Sequence, residues 1–149
     1  MRIYLDLCCL KRPFDAQEQP LVRLQTEAVD SILALPVATA ELIRAPAQAL
    51  ENSLNPVQAR REAVHLWLAQ APAVQLADEE VSLRIADLVA LGFKSFDAFH
   101  LASAELSGAD VFLTVDLPFL KLATRRSAKL RVRVADPVSF LQEVSQWTH

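Results

Sequence analysis

The sequence predicts an α/β fold in which helices cover both faces of a central parallel sheet. Short β-prone runs alternate along the chain with longer segments whose apolar residues recur at helical spacing. Two of the β-prone runs, RIYL and VFLTV, are almost wholly apolar, as strands buried on both faces are. With 149 residues, 52% of them hydrophobic, residues 1–149 are expected to form one domain with a full core.

Five segments in the first half of the chain have recognisable patterns. They are a β-prone run at 2–7, a helical repeat at 21–35, a second β-prone run at 37–45, a short helical segment at 46–54 and an amphipathic helical segment at 57–71. The first helix is expected to end before Pro36, and Pro46 is suited to the first position of the short helix. Residues 73–77 are a candidate for a further brief strand.

Six segments follow in the second half. They are a helix at 78–93, a helix at 95–107, a strand at 109–116, a short helix at 117–128, a strand at 130–136 and a terminal helix from 137. Asp78 and Ser95 are expected to cap the first two helices, and Gly92 is expected to end the first.

Composition excludes several classes of function. The net charge of −3 is not that of a basic nucleic-acid coat, so any nucleic acid would have to be bound locally. Two glycines are too few for a Walker or Rossmann phosphate-binding loop. No signal peptide and no membrane span is expected. The adjacent Cys8 and Cys9 are interpreted as thiols of a reducing cytosol, which predicts a cytoplasmic protein.

Four acidic residues are expected to converge at the carboxyl edge of the sheet, where ligands bind in α/β folds. They are Asp6 and Asp116 at the ends of apolar strands, Asp97 in the first turn of a helix, and Glu51 inside another helix. Four neighbouring carboxylates stay charged only if a cation offsets their repulsion, and their oxygens suit Mg²⁺ or Mn²⁺. Water activated by such an ion hydrolyses phosphodiesters. Taken singly, Asp97 is more simply an ordinary helix-start residue, and Asp6 and Asp116 are ordinary strand-end residues.

The motifs that carry these acids resemble those of a known family. LDLCCLKRPFD near the start, and DAFHLASAE followed by ADVFLTVD, are similar to the corresponding segments of the PIN domain, in particular of the VapC-like toxin ribonucleases. The resemblance spans nearly the whole chain and implies a three-layer α/β/α sandwich with a central parallel sheet. It also implies cleavage of RNA with Mg²⁺ or Mn²⁺. Toxins of this kind typically form homodimers and are masked by a cognate antitoxin protein.

The resemblance assigns roles residue by residue. Asp6, Asp97 and Asp116 correspond to the metal ligands, and Thr114 is a polar residue beside them that supports the ligands without binding the metal. The fourth catalytic acid is either Glu51 or Glu41. Glu51 is preferred because, like the glutamate of similar relatives, it lies in a helix a few residues before a Pro. This chain departs from many relatives at position 7, where Leu7 replaces a Ser or Thr that positions water.

His100 and several basic residues are further candidates. His100 lies three residues after Asp97, on nearly the same helix face, and is interpreted as a second-shell or packing residue rather than a ligand, since neither His65 nor His149 has a matching acid. Basic residues that could hold the RNA backbone near the acids are Arg12, Lys121, Arg125 and Arg126. Alternatively, Arg12 pairs with Asp15, and Lys129, Arg131 and Arg133 protect an edge strand.

The sequence therefore predicts a metal-dependent endoribonuclease, the toxin of a toxin–antitoxin pair. One alternative is a PIN-like module that has lost its activity and serves as an RNA- or protein-binding partner. A second alternative is a phosphatase or DNA nuclease that uses the same carboxylates.

Overall fold

Four parallel strands form the central sheet of the computed structural model, which describes the backbone of residues 1–147 and side chains through residue 145. His149 lies outside the described residues. The strands are β1 (Arg2–Leu5), β2 (Glu41–Leu42), β3 (Val111–Leu113) and β4 (Arg133–Ala135). Their order in the sheet is β2-β1-β3-β4, and every neighbouring pair is parallel. The predicted parallel sheet is confirmed.

Within residues 1–147, eight α-helices connect the strands and follow the last one. They are α1 (Leu7–Lys11), α2 (Pro20–Leu33), α3 (Pro46–Ser53), α4 (Gln58–Leu68), α5 (Asp78–Ala90), α6 (Ser95–Leu106), α7 (Leu117–Arg125) and α8 (Pro137–Trp147). Pro46 occupies the first turn of α3 as predicted. The backbone N–H groups of a first turn have no partner within the helix, so proline, which lacks an N–H, loses no hydrogen bond there. Gly92 and Gly108 follow α5 and α6 with φ of 110° and 77°, a conformation that favours glycine.

Alternate side chains of the strands fill two apolar layers. On one face Ile3 and Leu5 pack with residues of α1, α2, α4 and α8. On the other face Tyr4 and Phe112 pack with residues of α5, α6 and α7. Each fully buried side chain of this size contributes roughly 1.5–3 kcal/mol relative to exposure. The three-layer α/β/α sandwich expected from the sequence is therefore the fold of this chain.

Several predicted boundaries are wrong. The second strand has only two residues, because residues 37–39 form a turn that redirects the chain before it pairs with β1. Residues 73–77 form no strand, since a single backbone bond, from Val74 N to Arg44 O, joins them to the segment after β2. The last strand begins at Arg133, after a 3-10 turn over Ser127–Lys129.

Two predicted helix caps are also wrong. Asp78 and Ser95 are the first helical residues of α5 and α6, and the N-cap positions belong to Ala77 and Lys94. Neither N-cap side chain accepts a hydrogen bond. The acids of the first turn of α5 still interact favourably with the helix dipole.

The sheet edge formed by β4 has the alternation predicted for an edge strand. Arg131 and Arg133 are exposed, whereas Val132 is buried. Arg133 also forms an ion pair with Glu143 of α8. Within residues 1–147, no helix is both long and apolar enough to cross a bilayer.

Candidate functional site

Asp6 and Thr114 meet at the carboxyl edge of the sheet because the strands before them are in register. Leu5 of β1 pairs with Leu113 of β3, and Asp6 N donates to Leu113 O at 2.9 Å. The Thr114 hydroxyl donates to Asp6 Oδ2 at 2.8 Å, and Leu7 N donates to Oδ1 at 2.9 Å. The Asp6 carboxylate, only 5% exposed, is thus held in one orientation at the start of α1.

Asp116 is connected to Asp6 through the same threonine. Its backbone N donates to Thr114 Oγ1 at 3.1 Å, and its side chain caps α7 by accepting a hydrogen bond from Phe119 N at 3.2 Å. Thr114 is fully buried, so it has no competing solvent. One hydroxyl therefore fixes the relative position of two of the four acids, as a supporting residue would.

Glu51 of α3 and His100 of α6 approach Asp6 from the helical layer. The His100 Nε2 atom lies 3.3 Å from Glu51 Oε1 and 3.9 Å from Asp6 Oδ1. One ligand atom from each of these three residues lies within 4.8 Å of the other two. Gln48 positions α3, because its Nε2 donates to Leu5 O at 2.8 Å while its Oε1 accepts from Ala45 N at 2.9 Å.

Asp97 lies in the first turn of α6 and interacts electrostatically with the other acids. Burial and the negative charges of Asp6, Asp116 and Glu51 raise its pKa from 3.8 to about 6, although the nearby His100 partly offsets this effect. The structure thus brings all four predicted acids into one electrostatic cluster.

The pKa values of two neighbours reflect the same cluster. Burial acts to raise the pKa of Glu51, but the hydrogen bond to His100 and the charges of His100 and Lys11 outweigh it, so the pKa is lowered. Burial, followed by the charges of Asp6 and Glu51, raises the pKa of Tyr4 well above its ordinary value. Tyr4 therefore remains a neutral hydroxyl beside charged carboxylates.

Glu41, the other candidate glutamate, lies away from this cluster. It is an exposed residue at the start of β2, where it forms an ion pair with Arg2 at 3.4 Å. Because Arg2 begins β1 and Asp6 follows its end, Glu41 belongs to the opposite edge of the sheet. Glu51 is thus the glutamate that reaches the acids.

The basic candidates differ in their availability. Arg12 Nη1 lies 3.0 Å from Asp15 Oδ2, so the alternative interpretation of this residue as a partner of Asp15 describes its present contact. Lys121, Arg125 and Arg126 are exposed on or just after α7, which begins directly behind Asp116. All three side chains are exposed, and Arg126 Nε donates to Leu91 O at 3.2 Å.

Three contributors to the site carry a weaker sequence signal. The Cys8 thiol lies 3.3 Å from both Asp6 Oδ2 and Thr114 Oγ1, and the Tyr4 hydroxyl lies 2.7 Å from His100 Nδ1. Gln48 is the third. Tyr4 and Asp6 are two residues apart, and Gln48 and Glu51 are three apart, so these spacings put each pair on one face of its element. Nothing comparable in the sequence points to Cys8.

A comparison with protein families matches residues 3–124 to the PIN domain. The chain belongs to the PIN domain family. PIN domains are generally metal-dependent nucleases, and their usual cofactors are divalent cations. No curated protein and no solved structure matches this PIN domain. The match covers all the acids of the cluster and ends within α7, whereas β4 and α8 complete the sheet and its covering layer beyond it.

The donor set of this PIN domain fits a divalent cation. Carboxylate oxygens of Asp6 and Glu51 are close together with His100 Nε2, and the pKa of Asp97 is raised by burial and by the negative charges of Asp6, Asp116 and Glu51. Asp116 supplies a further partly exposed carboxylate. Such a set offers a hard cation several oxygen ligands and leaves room for water and phosphate oxygens.

Proposed function

We propose that this PIN domain is a metal-dependent endoribonuclease that acts as the toxin of a toxin–antitoxin pair in the cytoplasm. The observation that carries the proposal is the grouping of Asp6, Glu51 and His100 at the carboxyl edge of the sheet, together with the raised pKa of Asp97, which reflects burial first and then the charges of Asp6, Asp116 and Glu51. Residues 1–149 are proposed to act as a single domain, because β4 pairs with β3 in the same sheet.

In this proposal Asp6, Asp97 and Asp116 hold Mg²⁺ or Mn²⁺. A bound divalent cation activates water for attack on a phosphodiester and offsets the charge that develops on its oxygens. Asp6 is oriented by Thr114 and by the first N–H of α1, so its carboxylate needs no reorganisation to bind. Glu51, whose pKa is lowered by His100 and Lys11 against the effect of burial, is charged at neutral pH and is the acceptor for a proton from water.

Position 7 does not argue for an inactive module. Leu7 is buried in the core, 1% exposed, and its side chain belongs to the packing of α1. The polar groups around Asp6 come instead from Thr114 and from the Cys8 thiol, one residue later. The support that a Ser or Thr at position 7 supplies elsewhere thus has substitutes in this chain.

RNA is the proposed substrate because exposed basic side chains lie on the helix that begins at Asp116. Lys121 and Arg125 are exposed on α7, and Arg126 follows them. Guanidinium and ammonium groups are needed near a carboxylate site to hold a polyanion. Arg12 is proposed as a fourth contact that would exchange its present partner Asp15 for a phosphate.

The antitoxin and a second copy of the chain are proposed as partners. Exposed apolar side chains support an interaction surface on the first helices, where Leu21 is 63% and Leu24 49% exposed on α2, next to Phe14, which is 42% exposed. Sedimentation of the purified chain measures its mass in solution and so tests for the dimer. Co-purification with the product of a neighbouring gene tests for the antitoxin. A monomer at all concentrations would contradict the dimer.

The decisive experiment compares two Asp→Asn variants, each in the first turn of a helix. Asp97→Asn removes a proposed metal ligand and is expected to abolish RNA cleavage in the presence of Mg²⁺ or Mn²⁺. Asp78→Asn, on the exposed first turn of α5, is the matched control and is expected to cleave like the wild type. Cleavage by the Asp97→Asn variant at the wild-type rate would refute the assignment.

Substrate and metal controls separate the alternatives. The same preparations are tested on RNA, DNA and a simple phosphate ester, with and without EDTA. Cleavage of RNA alone supports the endoribonuclease. Cleavage of DNA or of the ester would instead support a DNA nuclease or a phosphatase that uses the same carboxylates. Absence of any cleavage, with Mn²⁺ binding lost as well, would identify an inactive module.

A further inference from the structure

The outer edge of β4 carries backbone groups that pair with no described residue. β4 is the last strand in the order β2-β1-β3-β4, and its one strand partner within residues 1–147 is β3. Ala135 O accepts a hydrogen bond from Thr114 N at 3.1 Å, so the backbone of Ala135 faces β3. Because consecutive residues of a strand direct their N–H and C=O groups to opposite edges, those of Val134 face outward. They are available to a further extended segment.

The opposite edge of the sheet is partly covered by the chain itself. Just after β2, Val74 N donates to Arg44 O at 2.8 Å, so the segment around Val74 lies against that edge. No comparable segment of residues 1–147 lies against β4. The sheet is therefore open to an added strand at the β4 edge rather than at the β2 edge.

An apolar groove lies beside the outer edge of β4. Its volume is about 440 Å³, and it runs between β4 and the C-terminal half of α7. Its apolar lining, called the β4 groove below, consists of Ala123, Leu130, Val132 and Val134. Because side chains alternate along a strand, an added strand would direct every second side chain into this groove. Such a segment therefore needs an apolar residue at alternate positions.

The positions between these valines are basic. Arg131 and Arg133 are exposed, and Arg133 forms an ion pair with Glu143. Neither Lys129 nor Arg131 forms an ion pair with a described side chain. Residues 117–135 include no acid. Glu105, which accepts a hydrogen bond from Arg131 N, has a side chain that is 0% exposed and is already paired with a guanidinium group.

This charge decides between three possible occupants of the edge. A second copy of the chain would bring its own Arg131 and Arg133 next to the same residues, and like charges on paired strands are destabilising. RNA would use the cations but neither the apolar lining nor the free backbone groups of Val134. An acidic peptide segment uses all three features.

We propose that the outer edge of β4 binds an extended segment of a partner protein, in which acidic and apolar residues alternate, as a fifth strand of the sheet. Backbone hydrogen bonds supply affinity in this mode of recognition, and pockets for alternate side chains supply specificity. The inference does not depend on the proposed function. Arg133 pairs with Val111 at the start of β3, whereas Asp116 follows the end of β3, so the β4 groove begins at the other end of the strands.

The first test measures the binding of a peptide to the full chain by fluorescence anisotropy. The probe is a labelled peptide of about six residues in which valine and glutamate alternate. Arg131→Glu is expected to weaken its binding at least about tenfold, because acidic groups then face one another. The matched control is Arg23→Glu on the exposed face of α2, which changes the net charge equally and is expected to bind like the wild type. A peptide with lysine in place of glutamate is expected not to bind.

A second test detects the backbone pairing itself. In hydrogen exchange followed by nuclear magnetic resonance, the Val134 amide is expected to exchange rapidly in the free chain and to become protected when the peptide binds. Val134→Pro removes this N–H but leaves the ladder to β3 its hydrogen bonds, and it is expected to weaken binding roughly tenfold. Should Val134→Pro fail to fold by circular dichroism, the exchange of the wild-type amide and the Arg131→Glu affinity decide.

Four results would overturn the inference. They are an unchanged peptide affinity in folded Arg131→Glu, equal binding of the lysine peptide, and no protection of the Val134 amide at saturating peptide; the fourth is failure of the wild-type chain to bind the glutamate peptide. In that last case two measurements identify the true occupant. A dimer that dissociates in Val134→Pro would assign the edge to a second copy, and single-stranded RNA whose binding is lost in Arg131→Glu would assign it to nucleic acid.

Discussion

Asp97 is expected to destabilise the metal-free protein at neutral pH, so that Asp97→Asn makes the chain more stable. Its pKa is raised from 3.8 to about 6, first by burial and then by the charges of Asp6 and Asp116. A shift of this size corresponds in full to about 3 kcal/mol. Because Asp97 is partly exposed and water screens its neighbours, we expect about half of that, about 1.5 kcal/mol.

The sign of the effect follows from which state binds the proton more tightly. The folded chain holds the Asp97 proton more tightly than the unfolded chain does, so the resulting stabilisation is fully present below pH 3.8. It is lost as the pH rises through about 6. The amide of the variant does not titrate, so its advantage over the wild type is expected to grow between about pH 4 and pH 7.5.

Thermal and urea unfolding in EDTA measure this difference. At about pH 7.5 the melting temperature of Asp97→Asn is expected to exceed that of the wild type by about 5 °C, and at about pH 4 the two should nearly coincide. Asp78→Asn is expected to have the opposite effect. Its free energy of unfolding should fall by about 0.3–1 kcal/mol, because the substitution removes an acid that interacts favourably with the α5 dipole. Saturating Mg²⁺ should stabilise the wild type more than Asp97→Asn. A variant no more stable than the wild type at both pH values would refute the reasoning.

Two further predictions concern a buried ion pair and the basic face of α7. Glu105→Gln leaves the Arg84 guanidinium with only the more distant carboxylate of Asp87, 3.8 Å away, where the Glu105 and Arg84 side chains are 0% and 10% exposed, and is expected to cost about 3 kcal/mol in urea unfolding. Glu143→Gln, in an exposed pair, is the control and should change stability little; similar losses in both would contradict the role of burial. Lys121→Ala and Arg125→Ala, in the Asp97→Asn background, should each reduce the slope of log affinity against log salt on single-stranded RNA by about 0.7, measured by fluorescence anisotropy. Unchanged slopes would exclude direct phosphate contacts.

Local patterns in the sequence were sufficient for the order of the elements and for the layers. The helical spacing over residues 21–35 and the Pro at position 46 each describe interactions within one element, and both predictions agree with the structure. The second strand was predicted too long because strand length depends on the partner. Only Glu41 and Leu42 pair in register with β1, because residues 37–39 before them form a turn.

The site was partly predictable for the same physical reason. Strand ends in a parallel sheet share one edge, so Asp6 and Asp116 could be brought together from sequence alone. The orientation of the His100 side chain could not be predicted from the sequence. It depends on the angle at which α6 crosses the sheet and on the position of Tyr4 beneath it. A spacing of three residues puts His100 on the face of Asp97, but only the fold decides that its ring reaches Asp6 and Glu51 instead.

Asp97 illustrates how a common residue acquires an uncommon property. In isolation, an acid in the first turn of a helix is stabilised by the helix dipole, which favours its charged form. In this fold burial and three other acids act in the opposite direction and prevail, since the pKa rises rather than falls. The free energy that the metal-free chain loses in this way becomes available to whatever cation binds, because the ion relieves the repulsion that folding created. The same charges therefore destabilise the metal-free site and favour binding of the ion. A substitution such as Asp97→Asn, which stabilises the metal-free chain, should weaken its affinity for the ion.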